Sequence, residues 1–335
     1  MSDEKSESHA YHFCSVMKHF SRYMMRVALK VFAALLLFFV IRESANIFFA
    51  QNFSTNSVII NRNDGVRDLA IQLCKESRQD THTYHRVVSG LKWLMRAGYT
   101  LKVGEYAVDT SMSLYDVMQK IHAGQCVKHK ITFAEGLTHA QIVDQMQNDH
   151  RLVPSELSLP AEGYLMPDTY VFSYPMTWQD IINMMHAKMQ CFLRQIDEQR
   201  IPFGYSVDAM IRIASLVEKE AAYDEERLKI AAVYWNRLHK KMRLQADPSL
   251  IYDLTKGKHY RVKIRKKTLR ENMSLYNTYK HHGLPPSAIC NPGRASIIAA
   301  ATPVMYNYLF FRLARNKKHH LFAETFQAHC NNQYL

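Results

Sequence analysis

The spacing of apolar residues changes period several times along the chain, and each change marks an element. Val31 to Ile41, VFAALLLFFVI, is uncharged and apolar; counted back to Tyr23, the run reaches nineteen residues broken only by Arg26 and Lys30. That is close to the minimum for a helix that crosses a bilayer. Ser57 to Asn61 reads as a short strand, and Val66 to Glu76 as a helix with Val66, Leu69, Ala70 and Leu73 on one face. A helix over Tyr84 to Ala97 follows, and LKVGEYAVD from 101 to 109 alternates as a strand. Ser113 with Asp116 and Thr138 with Gln141 form capping boxes that open two further helices. The first buries Leu114, Val117, Met118 and Ile121 and ends at Gly124; the second carries Leu137 and Ile142 as a staple. Thr177 with Asp180 opens another, whose stripe of Ile181, Met185, Met189, Phe192 and Ile196 leads to a stop at Pro202 and Gly204.

The stretch from Ile211 to Leu238 organises the remainder. At helical spacing Ile211, Ala214, Ser215, Glu218 and Ala222 share a face, while Glu220 lies on roughly the opposite side. Asp224 reads as the N-cap of a second helix with Glu225 and Glu226 in its first turn, and Leu228, Ala231, Ala232, Trp235 and Leu238 as its buried side. Residues 240 to 251, KKMRLQADPSLI, turn through Asp247-Pro248. Between Lys256 and Arg270 stand eight Lys or Arg and no acid, with Tyr260, Val262 and Ile264 alternating against Arg261, Lys263 and Arg265. This predicts an amphipathic strand with one basic face, either a solvated edge or a patch for an anionic partner. Short strands interleaved with helices predict a mixed α+β fold.

A length of 335 residues holds two domains of ordinary size, and 47% apolar content supports packed cores. The formal charge of +13 fits phospholipid headgroups, nucleic acid or a polymer bearing carboxylates, without choosing among them. Lys18, Arg22, Arg26 and Lys30 surround the start of the apolar run, and only Arg42, beside Glu43, follows it closely. This bias puts the amino terminus in the cytoplasm and the chain beyond Arg42 outside it. Ser44, Ala45 and Ala50 could mark a cleaved signal peptide, but the long segment before the apolar core favours an uncleaved anchor. Cys14, Cys74, Cys126, Cys191, Cys290 and Cys330 are scattered, with no C-x-x-C pair, and His281-His282 lacks a nearby third ligand, so no metal is assigned.

The candidate chemistry begins with Glu218. A carboxyl among Ile, Ala and Ser is open to desolvation, which disfavours its charged form and suits a proton donor near neutral pH. An isolated glutamate on a solvated helix face is the plainer alternative. AEGYLMPDTYVFSYP, 161 to 175, mixes acids and tyrosines at a density that suits either a sugar site or an aromatic corner. Ser274 to Gly293, SLYNTYKHHGLPPSAICNPG, is a polar and aromatic loop with two proline turns, where sites tend to be built. The strand and helix pairs before residue 130 read as a structural spacer or as a carbohydrate-binding module.

Together EGYLMPDTY (162–170), ASLVEKEA (214–221), AAVYWNRL (231–238), LQADPSLIY (244–252), YNTYKHHGLPP (276–286) and NPG (291–293) resemble the endolytic murein transglycosylase, or YceG-like, family. The resemblance runs from about Ser57 to the end. It implies a cytoplasmic segment over 1–25, a membrane anchor over 26–46, a LysM-like subdomain over 55–130 and a catalytic domain over 131–335. It implies a single-pass inner-membrane protein with a periplasmic catalytic domain that cleaves peptidoglycan glycan strands and leaves 1,6-anhydro-N-acetylmuramic acid ends. Glu218 matches the family's catalytic glutamate. Glu162, Tyr164, Asp168, Tyr170, Gln245, Asp247, Asn277 and Tyr279 match positions expected in or near the substrate cleft. No cofactor, metal or nucleic acid is implied, and peptidoglycan synthases are the partners it suggests. The chain departs from the family's usual residues at Ala221, Ala246, Asp253, Leu275 and Ser287-Ala288. A membrane-anchored glycan-binding scaffold with Glu218 inert is the alternative.

Overall fold

The computed structural model describes residues 24–42, 45, 47, 53, 55–74, 81–302, 304, 306–315 and 319–332. Lys18, Arg22, Glu43, Ser44, Ala50 and Cys14 lie outside them, as do Lys75 and Glu76 at the end of the helix expected over 66–76. The first helix, α1 (Met24–Arg42), has a mean hydropathy of 2.3 and is nowhere buried. Its nineteen residues rise about 28 Å, enough to cross the hydrocarbon of a bilayer. Leu35, Leu36, Leu37, Phe38 and Phe39 are all more than half exposed, an apolar surface of a kind that soluble monomers rarely present.

The chain divides into two compact units at Val127, α1 belonging to the first. In the first unit, β1 (Ser57–Ile60), α2 (Val66–Leu73), α3 (Thr81–Arg96), β2 (Gly104–Ala107) and α4 (Leu114–Ala123) follow one another. β1 and β2 are antiparallel, with Ser57 opposite Ala107 and Ile60 opposite Gly104. Val58, Ile60, Leu69, Leu91, Leu94, Tyr106, Met118 and Ile121 close the core between this ribbon and the helices. The Ser113 box forms as its sequence predicts, and Gly124 caps α4 in the left-handed conformation. The mixed α+β class holds; likeness of this βααβ arrangement to a LysM module remains an expectation from the resemblance.

In the second unit β3 (His129–Thr132) pairs antiparallel with β4 (Thr169–Phe172), and α5 (His139–Gln147) and α6 (Trp178–Leu193) bury Ile142, Met146, Ile181 and Met185 against them. Part of the tyrosine-rich segment is thus a strand. A larger core surrounds α7 (Val207–Glu220), in which Ala209, Met210, Ile211, Ile213, Ala214, Ser215, Leu216 and Val217 are all buried. A helix buried on every side is a central element. It packs against α8 (Asp224–His239), α9 (Asp247–Thr255) and α11 (Arg294–Ala301), with α10 (Lys266–Glu271) preceding the long loop and β5 (Phe310–Leu313), β6 (His320–Ala323) and α12 (Phe326–Asn331) closing the chain.

Three expectations are corrected. The basic strand over 256–270 does not form: residues 259–265 are irregular, and 266–271 are α10. Tyr260, Val262 and Ile264 do turn inward while Arg261, Lys263 and Arg265 face water, so the alternation is real, but no neighbouring strand supplies the hydrogen bonds a ladder needs. α6 stops at Leu193, and two 3-10 turns at Glu198–Arg200 and Pro202–Gly204 bridge to α7. Asp224 is the first residue of α8 rather than its cap; Tyr223 holds the cap position, and the Asp224 carboxylate takes Arg227 Nε at 3.0 Å instead.

Gly163 packs closely against the core around α7. Its φ is +94°, and a Cβ there would stand 2.6 Å from Ala288 Cβ and 2.8 Å from Ile211 Cγ2. G163A is expected to destabilise the protein by roughly 2–5 kcal/mol through backbone strain and overpacking, read as a lowered urea midpoint.

Candidate active site

Glu218 lies in the last turn of α7, where the apolar stripe delivers it to a crowded corner. Its side chain is 7% exposed and that of Arg227 is 12%, so the two form a buried pair with Arg227 Nη1 donating to Glu218 Oε1 at 3.2 Å. Arg227 comes from the first turns of α8, and its Nη1 also donates to Ser296 Oγ at 2.5 Å. Glu218 Oε2 accepts from the backbone N–H of Gly293 at 2.9 Å. Gly293 is the N-cap of α11, whose free amides and dipole favour an anion. Burial is as the sequence pattern predicts, whereas two donors on the carboxyl were not foreseen.

Two short loops complete the corner. The turn Glu135-Gly136, between β3 and α5, lies over the end of α7: Lys219 Nζ donates to Gly136 O at 3.0 Å and stands 3.7 Å from the centre of the Tyr260 ring. Burial pulls the Lys219 amine below its ordinary value. A Cβ on Gly136, whose φ is +76°, would touch Glu218 Cγ at 3.5 Å. A Cβ on Gly293 would overlap the Glu135 carboxylate, 1.9 Å from Oε1, so Glu135 rests directly on that glycine. Burial of its packed side, then the neighbouring Glu218, raise Glu135 above the usual carboxylate range, and Arg227 opposes them.

The loop carrying Gly293 is held from beneath by Glu162. Glu162 Oε1 accepts from His139 N at 3.0 Å and Asn291 Nδ2 at 3.2 Å, and Oε2 accepts from Tyr252 Oη at 3.0 Å. Burial pushes Glu162 up to about 7 and pulls His139 down to about 4. The imidazole 3.7 Å from Glu162 is therefore neutral, and the contact is not an ion pair. Asn291, fully buried, also accepts Leu165 N at 2.9 Å and donates to Leu137 O at 3.0 Å.

Other predicted residues gather elsewhere in this unit. Glu220 accepts from Tyr234 Oη at 3.3 Å, and burial, then Asp247, raise it to about 7. Asp247 Oδ1 accepts from Tyr279 Oη at 2.6 Å, and Gln245 Oε1 accepts from Arg237 Nη1 at 3.3 Å. Gln245, Asp247 and Tyr279 thus form a cluster with Glu220, and none hydrogen-bonds Glu218. Asp168 pairs with Lys188 at 2.5 Å, and that contact holds its carboxyl below the usual range. Tyr164 reaches Asp208 at 3.4 Å. Tyr170 is 4% exposed and donates to Met166 O at 2.6 Å, while Asn277 is wholly buried and donates to Leu269 O and Asn272 O. His281 and His282 contact separate carbonyls, of Met273 and Lys241. Among the described residues no group of three His, Cys, Asp or Glu side chains is placed to hold a metal.

Sequence reasoning missed Glu135, Arg227 and the amide of Gly293. Glu135-Gly136 stands directly before a capping box, a turn signal that could have drawn attention to it. Nothing local indicates that Arg227 folds back onto Glu218.

An apolar amino-terminal helix long enough to cross a membrane and a glutamate seated at the end of a central helix define an α+β protein with a buried acidic site. The chain belongs to the YceG-like family, whose model matches residues 58–334. It is similar to the endolytic murein transglycosylase of Bacillus subtilis (strain 168), 38% identical over 187 residues, or 56% of this chain and 50% of that one. It is also similar to the endolytic murein transglycosylase of Streptococcus pneumoniae serotype 2 (strain D39), 29% identical over 266 residues, 63% of this chain and 46% of that one. The chain spans about half the length of these curated relatives. A 2.6 Å crystal structure of a yceG-like protein from Listeria monocytogenes superposes with a TM-score of 0.51 at 25% identity, covering 82% of this chain and 98% of that one.

Glu162 and Glu220 set a pH dependence. Both rise from an ordinary 4.5 to about 7 on folding, so between those values the folded protein binds more protons than the unfolded chain. Stability from these groups is therefore highest in acid and falls as pH rises towards 7. E162Q and E220Q are each expected to reduce the loss between about pH 4.5 and 7, by up to about 3 kcal/mol, measured by urea unfolding across pH.

Proposed function

We propose that the protein is an endolytic lytic transglycosylase that cuts the β-1,4 bond between N-acetylmuramic acid and N-acetylglucosamine in newly made peptidoglycan. The observation that carries this reading is the buried Glu218, fixed by Arg227 and the Gly293 amide at the end of α7, in a chain of the YceG-like family. Glu218 donates a proton to the bridging oxygen, and the bond to C1 of the muramic acid breaks. The C6 hydroxyl of the same sugar closes on C1, and its proton returns to the carboxyl, leaving a 1,6-anhydro end. One proton is lent and recovered, so no water is consumed and a second carboxylate nucleophile is not required.

The exported side of the inner membrane is the compartment this substrate requires, and α1 restricts the enzyme to glycan near that surface. Glu162 holds the loop beneath Glu218, while Tyr164, Asp168, Gln245, Asp247 and Tyr279 are the groups assigned to hydroxyls and acetamido groups of the strand. The basic segment 256–270 suits the carboxylates of stem peptides. The βααβ unit serves as a LysM-like glycan holder, and glycan synthases are the partners proposed.

The Arg227 ion pair also favours a second reading, in which Glu218 is a structural carboxylate and the chain is a glycan-binding scaffold. Incubating the full chain with purified peptidoglycan and analysing the muropeptides by mass spectrometry separates the two. Anhydro ends are expected; reducing ends would make it a hydrolase, and no cleavage would leave the scaffold. E218Q is expected to lower cleavage at least ~100-fold without lowering the melting temperature by more than a few degrees.

A further inference from the structure

The corner that holds Glu218 contains a second carboxyl the mechanism above does not use. Gly293 brings the two together: its amide hydrogen-bonds Glu218 Oε2, and the Glu135 carboxylate packs where its side chain would begin. Only a residue without a side chain admits both groups. The two differ in how they are bound. Glu218 is buried and accepts from two donors, whereas Glu135 is exposed on its outer side and has no hydrogen bond or ion pair among the described residues. Glu218 and Lys219 from α7 and Arg227 and Asp224 from α8 are the charged groups around it.

We propose that Glu135 is a second carboxyl of the catalytic centre, holding jointly with Glu218 the one proton that cleavage consumes and regenerates. The neighbouring Glu218 is among the causes that raise Glu135, so Glu135 keeps a proton more readily than a lone carboxyl would. Glu218 delivers that proton to the bridging oxygen, and Glu135 keeps it with the pair in the free enzyme. The raised position of the Glu135 titration, to which Glu218 contributes, agrees with this arrangement. In the reaction the pair gives its proton to the bridging oxygen as the C1–O4 bond breaks. The new bond from the C6 oxygen to C1 releases a proton, which goes back to the pair, and the enzyme returns unchanged.

This inference rests on the transglycosylase reading and deepens it, so its test has two arms. In the first, the full chain in detergent acts on purified glycan strands. E135Q, nearly isosteric at an exposed position, is expected to lower kcat at least ~10-fold and move the alkaline limb of the kcat–pH profile to lower pH. E135D, which keeps a carboxyl, is expected to recover a bell-shaped profile. In the second, the Glu135 carboxyl is titrated by carbon-13 NMR in wild type and in E218Q; its midpoint is expected to fall when residue 218 carries no charge. An E135Q enzyme with the wild-type kcat and profile would falsify the proposal, as would a Glu135 midpoint indifferent to E218Q. If E135Q melts early and E135D fails to restore the profile, Glu135 only packs the loop and the proposal is overturned. A wild-type chain that produces no anhydro ends counts against the transglycosylase reading itself, while the titration still decides whether the two carboxyls are coupled.

Discussion

A carboxylate and a guanidinium withdrawn from water at the end of α7 have to meet, since either left alone would cost several kcal/mol in desolvation. Glu218 and Arg227 satisfy that requirement nine positions apart in sequence, across the break between α7 and α8. The pairing links the end of α7 to the first turns of α8. Arg227 also reaches Ser296 on α11, so one guanidinium ties three helices around the acid. The remaining oxygen of Glu218 is satisfied by a backbone amide, which cannot change rotamer. The acid therefore has a defined direction, a precondition for any proton transfer.

Supporting this corner is a chain of neutral and half-neutral groups. Glu162, raised to about 7 beside the neutral His139, fastens Asn291, and Asn291 fastens the loop that presents Gly293. Two further acids, Glu220 and Asp247, sit at the other side of the same helix end with Tyr234 and Tyr279. The helix thus presents Glu218 and Glu220 to different surroundings, the first in contact with a cation and an amide, the second with phenols. Environments that separate like groups in this way are what allow chemically identical side chains to take different parts in one reaction.

The amino-terminal helix obeys a different constraint. Among the described residues none of its side chains is buried, and a bilayer would take their apolar surface out of water.

Local physics was legible in the sequence. The boxes at Ser113, Thr138 and Thr177 formed because a hydroxyl, three residues of chain and an acid or amide suffice to satisfy the first amides of a helix. The apolar spacing likewise determined that Glu218 would be buried at the end of an apolar stripe, since side-chain direction on a helix follows from position alone. The strand expected at 260–265 failed because a strand needs a neighbour, and alternation cannot specify one. Only the tertiary structure decided that Arg227 and the amide of Gly293, 75 residues away, would converge on Glu218, and that Glu135 would face it across a glycine. Those contacts depend on how separate helices and loops pack, and electrostatic partners chosen by packing leave no periodic trace in the order of residues.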